Sequence, residues 1–265
     1  QFTANTMAMV LTTLGLSPLG YNDIPATHPA KGAAAFRCGE LVMACLRANR
    51  TPRALITRTA MRNAARMVAA TAGSTNAVLH LLAIAREAGV DWTLEDFEPA
   101  SAHTPVIADL LPGGRYTAVE LFGAGGSARV AQELIAAGML EDTPTVTGRS
   151  LFAEVAEAPR AETQDVVHAV AAPLKPRGGY SILYGNLAPE GCILKLAGKG
   201  ATHFEGRARV YEGEEQAFAA VQRDWAALKS TWTALPAPGA DLSAQQADAF
   251  VARIDTFVTA IEQHL

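Results

Sequence analysis

The sequence is poor in the residues that announce a chemistry. It has three cysteines, Cys38, Cys45 and Cys192. An odd number with no paired framework excludes a secreted disulfide scaffold. The six histidines, His28, His80, His103, His168, His203 and His264, form no metal-spaced pair. No Gly-x-Ser-x-Gly elbow supports a serine nucleophile. No apolar run approaches the roughly 18–20 residues that a membrane helix needs. The 22 Lys and Arg residues are scattered and the net charge is −4, so no basic stripe marks a nucleic-acid partner. The opening residues Gln1–Asn5 lack the basic-then-apolar pattern of a secretory leader, and a cytoplasmic location is expected. There is no internal repeat and no low-complexity tract.

What remains is ordinary for a globular chain. Of 265 residues, 49% are hydrophobic and 18% charged, enough for one large domain or two modest ones. Helical patterns come first. Thr3 or Asn5 can cap a helix carrying Met7, Val10, Leu11 and Leu14, with Gly15 to stop it. Further helices are expected over Pro29–Arg47, Thr57–Ala70 and from Ser74 to Gly89. Thr93 and Asp96 form a capping box for a short helix ending near Ala100. Strand-like pieces follow at Pro105–Leu110 and Thr117–Phe122. A glycine turn and a helix over Ala128–Ala137 come next, and this alternation favours an α/β class. After Pro159 the texture becomes β-rich. Strands are expected at Asp165–Val170, Tyr180–Tyr184, Cys192–Leu196 and Ala208–Tyr211, punctuated by Gly and Pro. The end of the chain predicts two helices, Glu215–Leu235 and Ser243–His264, around Pro236–Gly239.

The chemical motifs are few. Cys38 and Cys45 would share a helix face, which permits a metal pair but more simply gives two small buried thiols. His80 reads as a packed or surface residue of its helix. Gly123-Ala124-Gly125-Gly126-Ser127-Ala128 fits the dinucleotide fingerprint, after a possible strand and before a helix. The acidic residue that should follow the next strand is missing, because Glu141 and Asp142 precede Thr143–Val146. Ser74-Thr75-Asn76, after Gly73, heads an apolar helix. Its amides and polar side chains can hold an anionic or hydroxylated ligand, or simply cap the helix.

Four stretches together resemble the iron–sulfur dehydratase family that includes dihydroxy-acid and phosphogluconate dehydratases. Thr3-Ala4-Asn5-Thr6-Met7-Ala8 is similar to the segment after a cluster cysteine. Gly73-Ser74-Thr75-Asn76 and its helix resemble the Gly-Gly-Ser-Thr-Asn block, with Ala72 in place of the first glycine. Ala124-Gly125-Gly126 through Gly138-Met139-Leu140 resembles the next block. Tyr184-Gly185-Asn186-Leu187-Ala188-Pro189-Glu190-Gly191-Cys192 and Lys195–Gly198 resemble the opening of the second domain. Order and spacing agree over residues 1 to about 221.

The resemblance implies a hydro-lyase that converts a 2,3-dihydroxy acid to a 2-keto acid, in branched-chain amino-acid biosynthesis. An aldonic-acid dehydratase is the alternative. It implies an iron–sulfur cluster and Mg2+ in the parent enzyme, a small hydroxy-acid substrate and a possible homodimer. The family's cluster cysteines, metal ligands and catalytic serine match no residue here, so no catalytic or metal residue is assigned. An internal fragment, inactive as this chain and holding no cofactor alone, is expected. The residues expected to line or support the site are Thr3 and Asn5 near the cluster, Ser74, Thr75 and Asn76, and more remotely Asn186. The expected layout is a partial layered αβα domain over 1–160, the start of a β-rich, barrel-like domain over 161–213, and a helical tail over 214–265. Residues from 222 onward are similar to the periplasmic helices of nitrate-sensor kinases, which would make the chain a chimera; the alternative is a divergent helical cap. A sensor module on the tail and a nucleotide binder using Gly123–Gly126 are the readings from other classes.

Overall fold

The computed structural model describes residues 2–161, 163–196, 205 and 209–233. The chain divides into two compact units, Gln1–Gly200 and Ala201–Leu265. The first unit begins with α1 (Thr3–Thr13), α2 (Ala30–Arg47), α3 (Pro52–Leu55), α4 (Arg58–Ala70) and α5 (Asn76–Ala88). A 3-10 turn (Leu94–Asp96) leads into α6 (Phe97–Ala102), followed by α7 (Ala118–Gly123), α8 (Gly126–Ala136) and α9 (Leu151–Glu157). Strands β1 (Tyr180–Gly185) and β2 (Ala188–Lys195) pair as an antiparallel hairpin in which Ile182 faces Ile193. In the second unit, α10 (Glu214–Thr233) is accompanied by an Arg209–Asp224 ion pair at 3.0 Å. The helix expected over Ser243–His264 lies outside the described residues.

The core is arranged around α4. From Ala60 to Ala70 only Arg62 and Arg66 reach solvent, and each only in part. The helix is built of Ala60, Ala64, Ala65, Ala69 and Ala70 with Met61, Met67 and Val68, so its neighbours can approach closely on several sides. One face, through Met61, Ala64, Ala65 and Val68, packs with Val10 and Leu14 of α1, Val78 and Leu81 of α5, Phe97 and Tyr180. The other, through Met67 and Ala70, packs with Ile107, Leu121, Val130, Leu134, Leu151 and Val167.

One buried polar residue on α4 is paired through both ends of its amide. Asn63 Nδ2 donates to the Glu141 carbonyl at 2.7 Å, and the Glu141 amide donates to Asn63 Oδ1 at 3.1 Å. The side chain thus completes the backbone pairing of the segment that leaves α8. Thr57 caps α4 by accepting the Ala60 amide at 3.1 Å.

The α/β class holds, with helices and extended segments interleaved. The regular sheet among the described residues is the β1–β2 hairpin, with no barrel closure among them. The segment expected as a strand near Pro105–Leu110 forms isolated bridges, Val106 to Lys175 and Ala108 to Val167. It runs no longer ladder because the Ile107 and Ala108 amides both turn to the Ala70 carbonyl at the end of α4. Thr117–Phe122 is helix α7, not a strand. Thr117 and Glu120 form a reciprocal capping box, with the Thr117 amide donating to Glu120 Oε2 at 2.7 Å, and this local bonding overrides the strand-like composition. Of the expected Ala208–Tyr211 strand, residues 209–211 are described and are not in a strand.

Replacing the fully buried Asn63 with Ala removes both of its bonds to the Glu141 backbone. The expected loss is about 2–3 kcal/mol, read as a lower urea midpoint at unchanged slope. A loss under about 0.5 kcal/mol would show that water replaces the side chain.

Candidate functional site

Two helix starts that are far apart in sequence meet in space. At the head of α1, Thr3 Oγ1 lies 3.1 Å from Ser74 Oγ and accepts Asn76 Nδ2 at 2.8 Å. One turn further in, buried Thr6 Oγ1 accepts the Ser74 amide at 3.0 Å and donates to the Phe2 carbonyl at 2.8 Å. Ser74 Oγ in turn accepts the Asn76 amide at 3.3 Å. Neither α1 nor α5 has a side-chain hydrogen bond to its cap or an acidic residue in its first turn. Both positive helix ends are therefore left without a side-chain anion, beside a cluster of hydroxyl and amide groups.

The chain is forced into this geometry by its local residues. Gly73 is packed against α1, and a Cβ there would stand 2.8 Å from Thr6 Cγ2 and 3.1 Å from Val68 Cγ1. Ala72, just before it, has φ of +45°, a left-handed conformation that costs a side-chain-bearing residue about 1–2 kcal/mol.

Thr3, Ser74 and Asn76 are thus brought together. Thr75 is half-buried at the N-cap of α5, and Asn5 is half-buried one residue before Thr6. Asn186 stands exposed in the turn between β1 and β2. The expectation that Thr3 or Asn5 caps α1 is corrected: Phe2 is the N-cap, and the Thr3 hydroxyl is taken by the α5 head. Sequence reasoning passed over Thr6, although its spacing of three from Thr3 places both on one helical face.

The glycine turn Gly123–Gly126 proves to be occupied from within. It joins two helices, α7 and α8, where a nucleotide fingerprint needs a strand first. Asp23 Oδ2 accepts the Ser127 amide at 2.8 Å and the Ser127 hydroxyl at 2.6 Å. A Cβ on Gly126, whose φ is +63°, would meet Asp23 Oδ2 at 2.5 Å. The glycine therefore makes room for an internal carboxylate, which takes the place a pyrophosphate would need. In the adjoining open cleft of about 640 Å3, Arg149 is paired with Glu157 at 2.7 Å and Arg160 with Glu133 at 2.9 Å. The nucleotide-binding reading falls with these observations.

The cysteines do not assemble. Cys38 and Cys192 are exposed, on α2 and β2, while Cys45 is half-buried and donates to the Val146 carbonyl at 3.2 Å. The expectation of two buried thiols is corrected for Cys38, which stands on the solvent side of its helix. Among the described residues no group of three or more His, Cys, Asp or Glu could hold a metal ion. These donors fit neither an iron–sulfur cluster nor a Mg2+ site.

Comparison with known proteins identifies the family of the chain. The pattern of the dihydroxy-acid/6-phosphogluconate dehydratase N-terminal domain matches residues 1–154, and that of the C-terminal domain matches residues 165–231. The chain belongs to the dihydroxy-acid/6-phosphogluconate dehydratase family. It is 54% identical over 213 residues to the dihydroxy-acid dehydratase of Thermus thermophilus, covering 80% of this chain and 38% of that protein. The corresponding protein of Koribacter versatilis is 50% identical over 212 residues, covering 80% and 37%. That of Roseiflexus sp. is 49% identical over 212 residues, covering 80% and 38%. The chain thus spans under two fifths of the length of these curated relatives. The C-terminal match runs into α10, past the expected limit near Val221, so residues 222–231 fall within the family pattern.

Two outcomes follow. Ala72→Gly relieves the left-handed strain and should raise stability by about 0.5–1 kcal/mol, net of the glycine's greater unfolded-state entropy. A destabilised variant in urea unfolding would refute that account. Burial pushes the Asp23 carboxyl above the usual carboxylate range, against the opposing pull of the Ser127 hydroxyl and amide and the Lys31 charge. An acid whose folded pKa is raised contributes stability below its ordinary pKa and loses it as pH rises through the raised value. Wild type should therefore lose stability relative to Asp23→Asn as pH is raised from acid to neutral. The difference in urea midpoints reports it, and a flat or opposite trend removes the burial argument.

Proposed function

We propose that the junction of the α1 and α5 N-termini is the substrate-facing wall of a hydro-lyase that dehydrates 2,3-dihydroxy carboxylic acids to 2-keto acids. The observation that carries this reading is the convergence of Thr3, Ser74 and Asn76, joined by hydrogen bonds across 71 and 73 positions of sequence. Two unneutralised helix starts favour a carboxylate, and the hydroxyl and amide groups beside them suit a polyhydroxy acid. The relatives named dihydroxy-acid dehydratase support this substrate class. In this reading Ser74 and Asn76 bind and orient the acid, Thr3 and Thr6 fix their rotamers, and Asn5 and Thr75 complete the wall. Asn186 belongs to the opening of the second domain and supports the site from there.

The residues of this chain supply binding and orientation. By family resemblance the whole enzyme uses an iron–sulfur cluster, Mg2+ and a serine base, whose ligands and base are not among the residues matched here. We therefore read the 265-residue chain as catalytically silent alone, and its parent as a cytoplasmic enzyme of branched-chain amino-acid synthesis. The layout we favour is a first domain to about residue 160, the start of a second over 161–213, and a tail over 214–265.

Titration of the purified chain with dihydroxyisovalerate, followed by ligand-observed NMR, tests the site. Weak binding is expected, reduced at least about tenfold in Ser74→Ala/Asn76→Ala, as the loss of one or two hydrogen bonds to a charged group implies. Equal binding by wild type and variant would place the substrate elsewhere. Stronger binding of gluconate would move the substrate class to aldonic acids. Iron-dependent visible absorbance with turnover by this chain would overturn its catalytic silence.

A further inference from the structure

Helix α6 is short, yet two of its side chains grip the start of β1. Glu98 and Ser101, three positions apart, share one face of the helix. The Ile182 amide donates to Glu98 Oε2 at 2.7 Å, and the Ser181 hydroxyl donates to the same oxygen at 3.2 Å. Arg177 pairs with Glu98 Oε1 and donates to Ser181 Oγ at 3.0 Å. The hydroxyl of buried Ser101 donates to the Tyr180 carbonyl, and the Ser101 carbonyl accepts the Gly178 amide at 3.0 Å. Backbone groups two residues apart in a strand point the same way, so the Tyr180 carbonyl and the Ile182 amide lie on one edge of β1. Gly179 points to the other edge, where its carbonyl accepts the Leu196 amide, just past β2, at 2.7 Å. With a carboxylate and a hydroxyl, α6 does for β1 what a third strand would do.

The gripped segment touches the turn that presents Ser74. A Cβ on Gly179 would stand 2.3 Å from Ala72 Cα, and the Gly179 amide donates to the Ala69 carbonyl at 3.0 Å. Ala72 has φ of +45°, a conformation kept only where the surroundings impose it. Gly179 has no side chain to anchor itself, so its neighbours along the chain must hold it against Ala72. Tyr180 and Ile182 hold it by packing into the core around α4. Apolar packing is non-directional and fixes depth better than lateral position. The Glu98 carboxylate supplies the directional hold, through charge-assisted bonds that are the stronger kind.

We infer that Glu98 is a positioning residue for Ser74 and Asn76, acting through Ser181, Ile182 and Gly179 on the Ala72 turn. The aim of the polar cluster at the heads of α1 and α5 is thus set in part by α6, which contributes no atom to that cluster. Glu98 itself binds no substrate in this account. That the positioned groups face a dihydroxy acid rests on the proposed function, whereas the coupling from Glu98 to Ser74 does not.

Amide hydrogen exchange of the purified chain, read residue by residue by NMR, tests the inference. Glu98→Ala should speed exchange about tenfold at Gly179 and at least about fivefold at Ser74, as loss of a charged acceptor from a locally opening segment implies. The Val130 and Leu134 amides, in α8 on the other side of α4, should be unchanged. In an Ala72→Gly background the turn needs no clamp, so the effect at Ser74 should fall below about twofold while that at Gly179 persists. Glu98→Gln keeps the volume and one acceptor, and should give the same pattern at about threefold if the alanine variant does not fold. Acceleration at Gly179 with Ser74 unchanged overturns the inference. So does equal acceleration at Val130 and Leu134, the mark of a general loss of stability, or an effect at Ser74 that Ala72→Gly leaves undiminished. Titration with dihydroxyisovalerate separates this inference from the proposed function. If the wild-type chain does not bind the acid, the proposed function fails and the exchange pattern still decides the coupling. If it binds, Glu98→Ala should weaken binding at least about threefold, and an unchanged affinity overturns the positioning role.

Discussion

The first unit depends on a helix that has almost no solvent face. Between Ala60 and Ala70, α4 is enclosed by α1, α5 and α6 on one side and by α8 and the extended segments on the other. Enclosure on several sides demands small side chains, and α4 supplies five alanines over this stretch. Dispersion between closely approaching backbones then does what large side chains do elsewhere. A buried polar side chain in this position is costly unless it is paired. Asn63 satisfies that condition by pairing twice with the Glu141 backbone, which fixes the exit of α8 relative to α4. The end of α4 has a similar duty: the Ala70 carbonyl accepts the Ile107 and Ala108 amides, and so sets where the next extended segment begins.

The candidate site grows out of the same helix. The chain leaving α4 turns through left-handed Ala72 and tightly packed Gly73, and this places Ser74 beside Thr3 and Thr6. The positions of α1 and α5 follow from their apolar faces, Val10 and Leu14 on one and Val78 and Leu81 on the other, which share the α4 surface. Their N-termini meet as a consequence of core packing. The polar groups gathered there pair with one another across the two helix starts.

Much of this arrangement was legible in the sequence where local chemistry decides it. The helices with caps and periodic apolar residues, α1, α2, α4, α5, α6 and α8, stand close to their expected bounds. Ser74-Thr75-Asn76 at a helix head was readable as a binding or capping motif, and Thr3 was singled out by its resemblance block. What sequence reasoning could not supply was the long-range partner. Nothing near Gly126 reveals that Asp23, 104 positions away from Ser127, fills the turn. Thr117–Phe122 looked extended because Val119, Leu121 and Phe122 are common in strands, yet the Thr117–Glu120 capping box settles it as a helix. The short helix α9 was missed for a related reason, its capping by Ser150 being visible only beside the β-rich texture that follows it.

The strain at Ala72 ties the candidate site to the segment that leads into β1. Gly178 and Gly179 run across the end of α4, with the Gly178 amide donating to the Ser101 carbonyl and the Gly179 amide to the Ala69 carbonyl. A Cβ on Gly179 would stand 2.3 Å from Ala72 Cα, so the approach to the site loop is possible only without a side chain there. Tyr180, the next residue, is fully buried against Phe97 and donates to the Ala65 carbonyl at 3.2 Å. A left-handed residue persists only where its surroundings over-determine it, and here that surrounding is the β1 lead-in. The loop that presents Ser74 and Asn76 is therefore held partly by residues matched to the C-terminal pattern, which begins at residue 165. Site geometry in this family member is in that sense a property of both matched regions, since the N-terminal region carries the polar groups and the start of the C-terminal region clamps the turn that aims them.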